Sequence, residues 1–260
     1  MWKNEKSAHI YLYNNNVICY GNIKQKGGEK MTVYEIYLKL FLLLDIHQGE
    51  ALERIGNLID KSLGKNEEYL NFHQENQYKL YTFNSLFNSS GEKIFKEGGI
   101  YLIKVRTIDE ELADYFLKNL ANEYTEHIKV LTTEKRSIKQ RPIEKLYNIT
   151  PTVIKTDQGY WKGQISLDDY EKRLTENLIK KYNQFYNTKI DEGFELFRSM
   201  EFNNRKPIAS SYKNINILGD KLDLYIANNA RAQELAFFAL GVGIGEMGSR
   251  GFGFMNFRPM

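Results

Sequence analysis

The sequence predicts an α+β protein built from two tandem ferredoxin-like (RRM-like) βαββαβ domains, each an antiparallel sheet with its helices on one face. Three observations lead there. The chain has 260 residues, 42% apolar and 13% aromatic, enough for two ordinary cores. From Met31 onward, stretches of period-two alternation and stretches of helical periodicity succeed one another. Their order, strand–helix–strand–strand–helix–strand, runs through twice, which is the split βαβ arrangement.

The first unit is expected over residues 31–148. A strand at Thr32–Leu43 places Tyr34, Ile36, Leu38, Leu40 and Leu42 on one face. A helix at about Glu50–Leu63 carries the stripe Leu52, Ile55 and Ile59. Strands follow at Lys79–Phe83 and Gly99–Arg106. Thr107 and Glu110 have capping-box spacing, and the helix they open continues through Ala113, Phe116, Leu117 and Leu120. His127–Ile138 reads as the fourth strand.

The second unit is expected over 149–260, after a joint near Tyr147–Pro151. Thr150–Lys155 is strand-like. Ser166 caps a long helix that buries Leu174, Leu178, Tyr182 and Phe185. Residues 194–202 and 207–227 read as strands with a hairpin turn near Gly219–Asp220. A helix through Leu235 and Phe238 ends at Gly241 as its C-cap, and 251–257 form a last short strand.

Residues 1–30 differ in character from residues 31–260. They are Asn-rich and aperiodic, and their five Lys against two Glu account for the whole net charge of +3. The codons for Lys26–Met31 can spell a bacterial ribosome-binding site ahead of an ATG. Translation is therefore expected to begin at Met31, with 1–30 a doubtful extension. The rest of the chain balances 31 basic against 31 acidic residues, so only a local patch could recruit a polyanion. One cysteine, Cys19, excludes an internal disulfide or a cysteine-based zinc site and fits a reducing cytoplasm. No run of about eighteen apolar residues predicts a membrane span. No His/Cys/Asp cluster has metal-ligand spacing, so neither metal nor cofactor is expected.

Residues 241–254, GVGIGEMGSRGFGF, hold six glycines. Gly243–Gly248 match G-x-G-x-x-G literally, but a dinucleotide site needs a strand before the glycines and a helix after them. Here a helix precedes and a short strand follows, so a nucleotide-dependent enzyme is a poor reading. A glycine-rich loop can still offer backbone N–H groups to an anion, with Arg250 reaching a phosphate or a base edge. It can equally be a tight connection of packing glycines. Lys135, Arg136, Lys139, Arg141 and Lys145 form a basic stretch between the units: a phosphate-binding patch or a solvated linker.

Gly243 to Gly253 consists of two Gly-apolar-Gly units five residues apart, placed after the last helix. This resembles the C-terminal signature of the CRISPR-associated Cas-six family, and the resemblance extends over 31–260. It implies two ferredoxin-like domains and cleavage of precursor CRISPR RNA within its repeats. It implies RNA contacts at Gly243, Gly245, Arg250, Gly251 and Gly253. The segment from His73 to Ser85 resembles a family stretch in which a histidine precedes Lys-apolar-aromatic-Thr-aromatic-Ser. His73 then falls on the histidine, as general base or acid, and Lys79 on the lysine that stabilises phosphate charge.

Cleavage without metal needs those roles: a base for the 2′-hydroxyl, an acid for the leaving 5′-oxygen and a cation near the phosphate. Several family members carry a tyrosine on the first helix. The corresponding "NLIDKSL" has none, which leaves the partner of His73 open between His47 and no residue. His127 reads as structural. The implied partners are repeat RNA and a CRISPR effector complex, with the chain a monomer or homodimer. The competing reading is a non-catalytic repeat-RNA-binding subunit.

Overall fold

The structure, a computed structural model, describes residues 31–75, 77–87 and 91–260, without the side chains of Phe72, His73 and Gln74. The extension 1–30 lies outside the described residues. Two four-stranded antiparallel sheets organise the chain. The first contains β1 (Thr32–Leu42), β2 (Tyr81–Phe83), β3 (Ile100–Thr107) and β4 (Ile128–Lys139), in the order β2–β3–β1–β4. Alternation in β1 puts Ile36, Leu38, Leu40 and Leu42 at 0% exposure. They pack against α1 (Ala51–Leu63) through Leu52, Ile55 and Ile59, and against α3 (Glu110–Asn119) through Leu112, Ala113 and Phe116. Between α1 and β2 lies a short helix that periodicity did not reveal, α2 (Glu67–Gln74). Its cap is Asn66, whose Oδ1 accepts from the N–H groups of Glu68 and Tyr69.

The second sheet joins β5 (Ile143–Asn148), β6 (Phe197–Phe202), β9 (Leu222–Ile226) and β10 (Met255–Pro259) in the order β6–β9–β5–β10. It is covered by α4 (Leu167–Tyr186) and α5 (Ala230–Val242). Between β6 and β9 a separate hairpin, β7 (Ile208–Tyr212) with β8 (Ile215–Gly219), leaves the sheet. Both four-stranded sheets show the same order, second–third–first–fourth by position in their own half. The protein is a tandem ferredoxin-like fold.

Several local expectations give way to tertiary geometry. Residues 150–155 do not form the second half's first strand; they make the isolated bridges Thr152–Asp220 and Val153–Glu246, and Lys155 pairs with Tyr160 in a two-residue ladder. That strand is β5, which read as linker because its outward positions hold Glu144 and Lys145. The sheets therefore divide at 140–142, ahead of the expected 148/149. The basic stretch is strand as well: Lys135, Arg136 and Lys139 lie on the edge strand β4, where charge discourages further pairing. The hairpin turn falls at Lys213–Asn214, both with positive φ (48° and 63°), as a two-residue turn requires, and not at Gly219–Asp220. Helix α3 is capped by Asp109, whose Oδ1 accepts from the Leu112 N–H at 3.1 Å. Thr107 Oγ1 instead donates to the Leu80 carbonyl at 2.8 Å.

Two features lock the halves together. From Leu235 on, helix α5 is apolar on all sides, with Leu235 through Leu240 fully buried, so this part sits at the centre of the molecule. Gly241 is inside this helix; a Cβ there would meet Ile108 of the first half at 2.6 Å, and Gly243 is the actual C-cap. On the opposite side, buried Arg106 of β3 donates to Glu35 Oε1 at 2.7–2.8 Å and to the Met255 carbonyl of β10 at 2.5 Å. Among the described residues no helix is long and apolar enough to cross a membrane.

Candidate functional site

Because α5 runs through the centre, its C-terminus delivers the glycine-rich loop to the joint between the halves. A cleft of about 690 Å3 opens there. One wall is Glu75, at the end of α2, with Gln77–Tyr81 leading into β2. The second is the face of α4 from Arg173 to Lys181, with Lys155 beside it. The third is Val242 and the loop tip, Glu246–Ser249. Gln184 of α4 holds the first wall: its Oε1 accepts from the Tyr78 N–H at 3.0 Å and its Nε2 donates to the Tyr78 carbonyl at 2.8 Å.

Cations dominate the lining. Lys79, Lys155, Arg173, Lys180 and Lys181 face Glu75, Glu176 and Glu246. Lys79 donates to the Glu75 carbonyl at 2.7 Å, and burial pulls its ammonium below the usual lysine range. Arg173 donates to the Lys155 carbonyl at 2.9 Å, and Glu246 Oε1 accepts from the Lys155 N–H at 3.1 Å, which ties the second wall to the loop. Lys181, 4% exposed, donates to the carbonyls of Gly243 (3.0 Å) and Gly245 (2.7 Å).

The structure separates the sequence-predicted residues. Lys79 lines the cleft. His73 lies in the last turn of α2 rather than in a loop, two residues before the cleft-lining Glu75. Two Cα–Cα steps of about 3.8 Å bring the His73 backbone within roughly 7.6 Å of that wall; its side chain lies outside the described part. His47 and His127 belong to the other end of the first sheet. The His127 carbonyl accepts from Leu43, just past β1, and His47 Nδ1 accepts from the Gly49 N–H at 3.2 Å to cap a single 3-10 turn. Tyr81 pairs with Thr107, itself opposite Tyr34. From Tyr34 to Leu42, at about 3.3 Å per residue, is roughly 26 Å. Neither histidine can partner a group in the cleft.

Gly243, Gly245, Gly251 and Gly253 are buried, with φ of 71°, 72°, 83° and 67°, and none lines the cleft. They shape the loop rather than offer a contact surface. Gly253 is the extreme case: a Cβ there would stand 1.9 Å from the Ile244 carbonyl oxygen. The surface presented to the cleft is the tip between the two Gly-apolar-Gly units. Arg250 points away from it. Its Nη1 donates to Asp60 Oδ2 of α1 at 2.5 Å and its guanidinium lies 5.4 Å from the Tyr212 ring. Arg250→Ala is therefore expected to cost about 1–3 kcal/mol of stability, read as a shifted urea midpoint, because it leaves Asp60 half-buried without this partner. A pure loss of RNA affinity with an unchanged midpoint would contradict this placement.

Lys155, Arg173, Lys180 and Lys181 were not singled out by motif. Only Lys181 leaves a trace in the sequence: it occupies a position of the apolar stripe Leu174, Leu178, Tyr182, where a lysine must find buried acceptors.

Fold and cleft define a class: a tandem ferredoxin-like protein whose glycine-rich loop helps to wall a cation-rich cleft. The family description "CRISPR associated protein Cas6, C-terminal" matches residues 138–257. Over 213 residues the chain is 25% identical to CRISPR-associated endoribonuclease Cas6 2 of Methanocaldococcus jannaschii, covering 75% of this chain and 87% of that one. It is 27% identical over 206 residues to Cas6 1 of the same organism, covering 70% and 74%. A solved structure of a Cas6-related protein from Pyrococcus furiosus superposes with a TM-score of 0.64 at 17% identity, covering 87% of this chain and 98% of that one. These comparisons support a member of the Cas6 family.

Proposed function

We propose that this protein is an endoribonuclease that cuts precursor CRISPR RNA within its repeats, without a metal ion, to release guide RNAs. The observation that carries the reading is the convergence at one cleft of Lys79, the end of α2 that bears His73, and the tip of the glycine-rich loop. The 2′-hydroxyl next to the cut loses its proton and attacks the phosphorus, and the P–O5′ bond breaks. His73 acts as base or acid in this proton traffic. Lys79 offsets charge on the equatorial phosphate oxygens. The products carry a 2′,3′-cyclic phosphate and a 5′-hydroxyl.

The test uses end-labelled repeat RNA. Cleavage should persist in EDTA and vanish when a 2′-deoxy nucleotide stands 5′ of the cut; cutting of the deoxy substrate would remove the mechanism. Tight binding without any cleavage would favour a non-catalytic subunit. The working form is a monomer or homodimer in the cytoplasm that keeps its product or passes it to an effector complex.

Affinity should depend steeply on salt. If Lys79, Lys155, Arg173 and Lys180 each neutralise one phosphate of single-stranded RNA, log Kd against log salt has a slope of magnitude about 3. The double variant Lys155→Gln/Arg173→Gln should lower that magnitude by about 1.4. An unchanged slope would place the RNA elsewhere.

A further inference from the structure

Lys181 is a charged side chain that the proposed chemistry does not use, yet it lies beneath the cleft with its ammonium between two loop carbonyls. The loop's bonding explains what it does there. Between α5 and β10 the backbone is pinned at Gly243 N–H to Ala239, Ile244 N–H to the Gly253 carbonyl, Glu246 N–H to Val153 and Gly253 N–H to Pro151. The carbonyls of Gly243 and Gly245 receive no described backbone donor. At positive φ they turn into the protein, where an unmet carbonyl is costly. Lys181 meets both.

We propose that Lys181 is a positioning residue: by drawing the Gly243 and Gly245 carbonyls inward it aims the loop tip, Glu246–Ser249, at the bound RNA, and the clamp tightens when RNA binds. The second half of this inference rests on the cleft being the RNA site; the first does not.

The electrostatics support a clamp of adjustable strength. Burial draws the Lys181 pKa down to about 7, opposed in part by the Glu246 carboxylate on the loop. Lys180, Arg173 and Glu176 from α4, Glu75, Tyr78 and Lys79 from the first wall, and Lys155 also line the cleft around it. The sign follows from linkage. A folded pKa below the unfolded value means that the buried ammonium opposes folding below about pH 7, and that this opposition fades as pH rises toward the ordinary lysine range. The group is thus held at a cost to stability near neutrality, a mark of sites kept for function. Phosphate brought into the cleft favours the charged form, so RNA binding takes up a proton, and by reciprocity a rise in pH weakens RNA binding.

Two measurements test this. The first needs no RNA: hydrogen exchange of the Glu246 and Gly253 amides, corrected for intrinsic rate, in wild type and Lys181→Met. At least tenfold faster exchange in the variant is expected, with β1 and β4 amides unchanged. Should Lys181→Met not fold, Lys181→Gln and the wild type at pH 6.5 against 8.5 supply the same comparison, with loop protection falling at the higher pH. Unchanged loop protection overturns the positioning role. The second uses 2′-deoxy-blocked repeat RNA and the His73→Ala background, so that neither cleavage nor the imidazole contributes. Affinity should weaken about tenfold between pH 6.5 and 8.5, and the dependence should flatten with Lys181→Met added. Equal pH dependence in both overturns the coupling. Absence of RNA binding at any pH instead removes the proposed function and the coupling with it, and leaves the loop measurement standing.

Discussion

His73→Ala is expected to slow single-turnover cleavage of repeat RNA by roughly 10²- to 10⁴-fold, the usual contribution of positioned proton transfer. RNA affinity should stay within a few-fold, because the surrounding Lys and Arg side chains supply the attraction to phosphate. Lys79→Ala should show a different signature: a rate loss of one to three orders of magnitude that changes with salt less than binding does, since its charge is partly withdrawn from water. The histidine prediction rests on the position of His73, two residues before the cleft-lining Glu75. His47→Ala and His127→Ala, at the far end of β1, should leave the rate within twofold. A full-rate His73→Ala enzyme, or a dead His47→Ala enzyme, would assign the proton chemistry to another group.

The second large effect is structural. Gly253→Ala is expected to destabilise the protein by at least about 3 kcal/mol, on the order of 10 °C in Tm. The left-handed backbone alone costs a non-glycine residue about 1–2 kcal/mol. The added Cβ would lie 1.9 Å from the Ile244 carbonyl oxygen, so the loop must open and strain the bonds from Gly253 N–H to Pro151 and from Ile244 N–H to Gly253. Gly159→Ala is the control. It has φ of 101° with nothing within 4 Å of the new Cβ, so it suffers backbone strain without collision. Equal losses at the two positions would mean that φ, and not the close approach of the two Gly-apolar-Gly units, explains the glycines.

The two strands that read most clearly, β1 and β4, and the apolar stripes of α1, α4 and α5, were legible because each is long enough for its period to show. Strand β5 was not, since Glu144 and Lys145 on its outer face disguise the buried Ile143 and Leu146. Helix α2 was missed because eight residues rich in Asn, Glu and Gln show little stripe; its Asn66 cap was the available signal. In the site, Lys79 was found from the stretch around it, and the glycine-rich loop from its spacing. The loop's glycines were expected to touch RNA, yet they are consumed by backbone packing. Arg250 was expected beside them, yet it turns to Asp60, because φ values and close approaches are properties of the assembled loop, not of the letters.

What the chain's order of residues determined alone is the plan: two βαββαβ halves, a capped helix at Ser166, and a glycine-rich turn after the last helix. These follow from periodicity and capping, which act within a few residues. What only the tertiary structure decided is which side chains share the cleft. Lys79 and Lys181 are about a hundred residues apart, and the tip at 246–249 is further still. They meet because the apolar stretch Leu235–Val242 of α5 is driven to the centre of the molecule and carries the loop with it, a consequence of burial summed over both halves that no local pattern records.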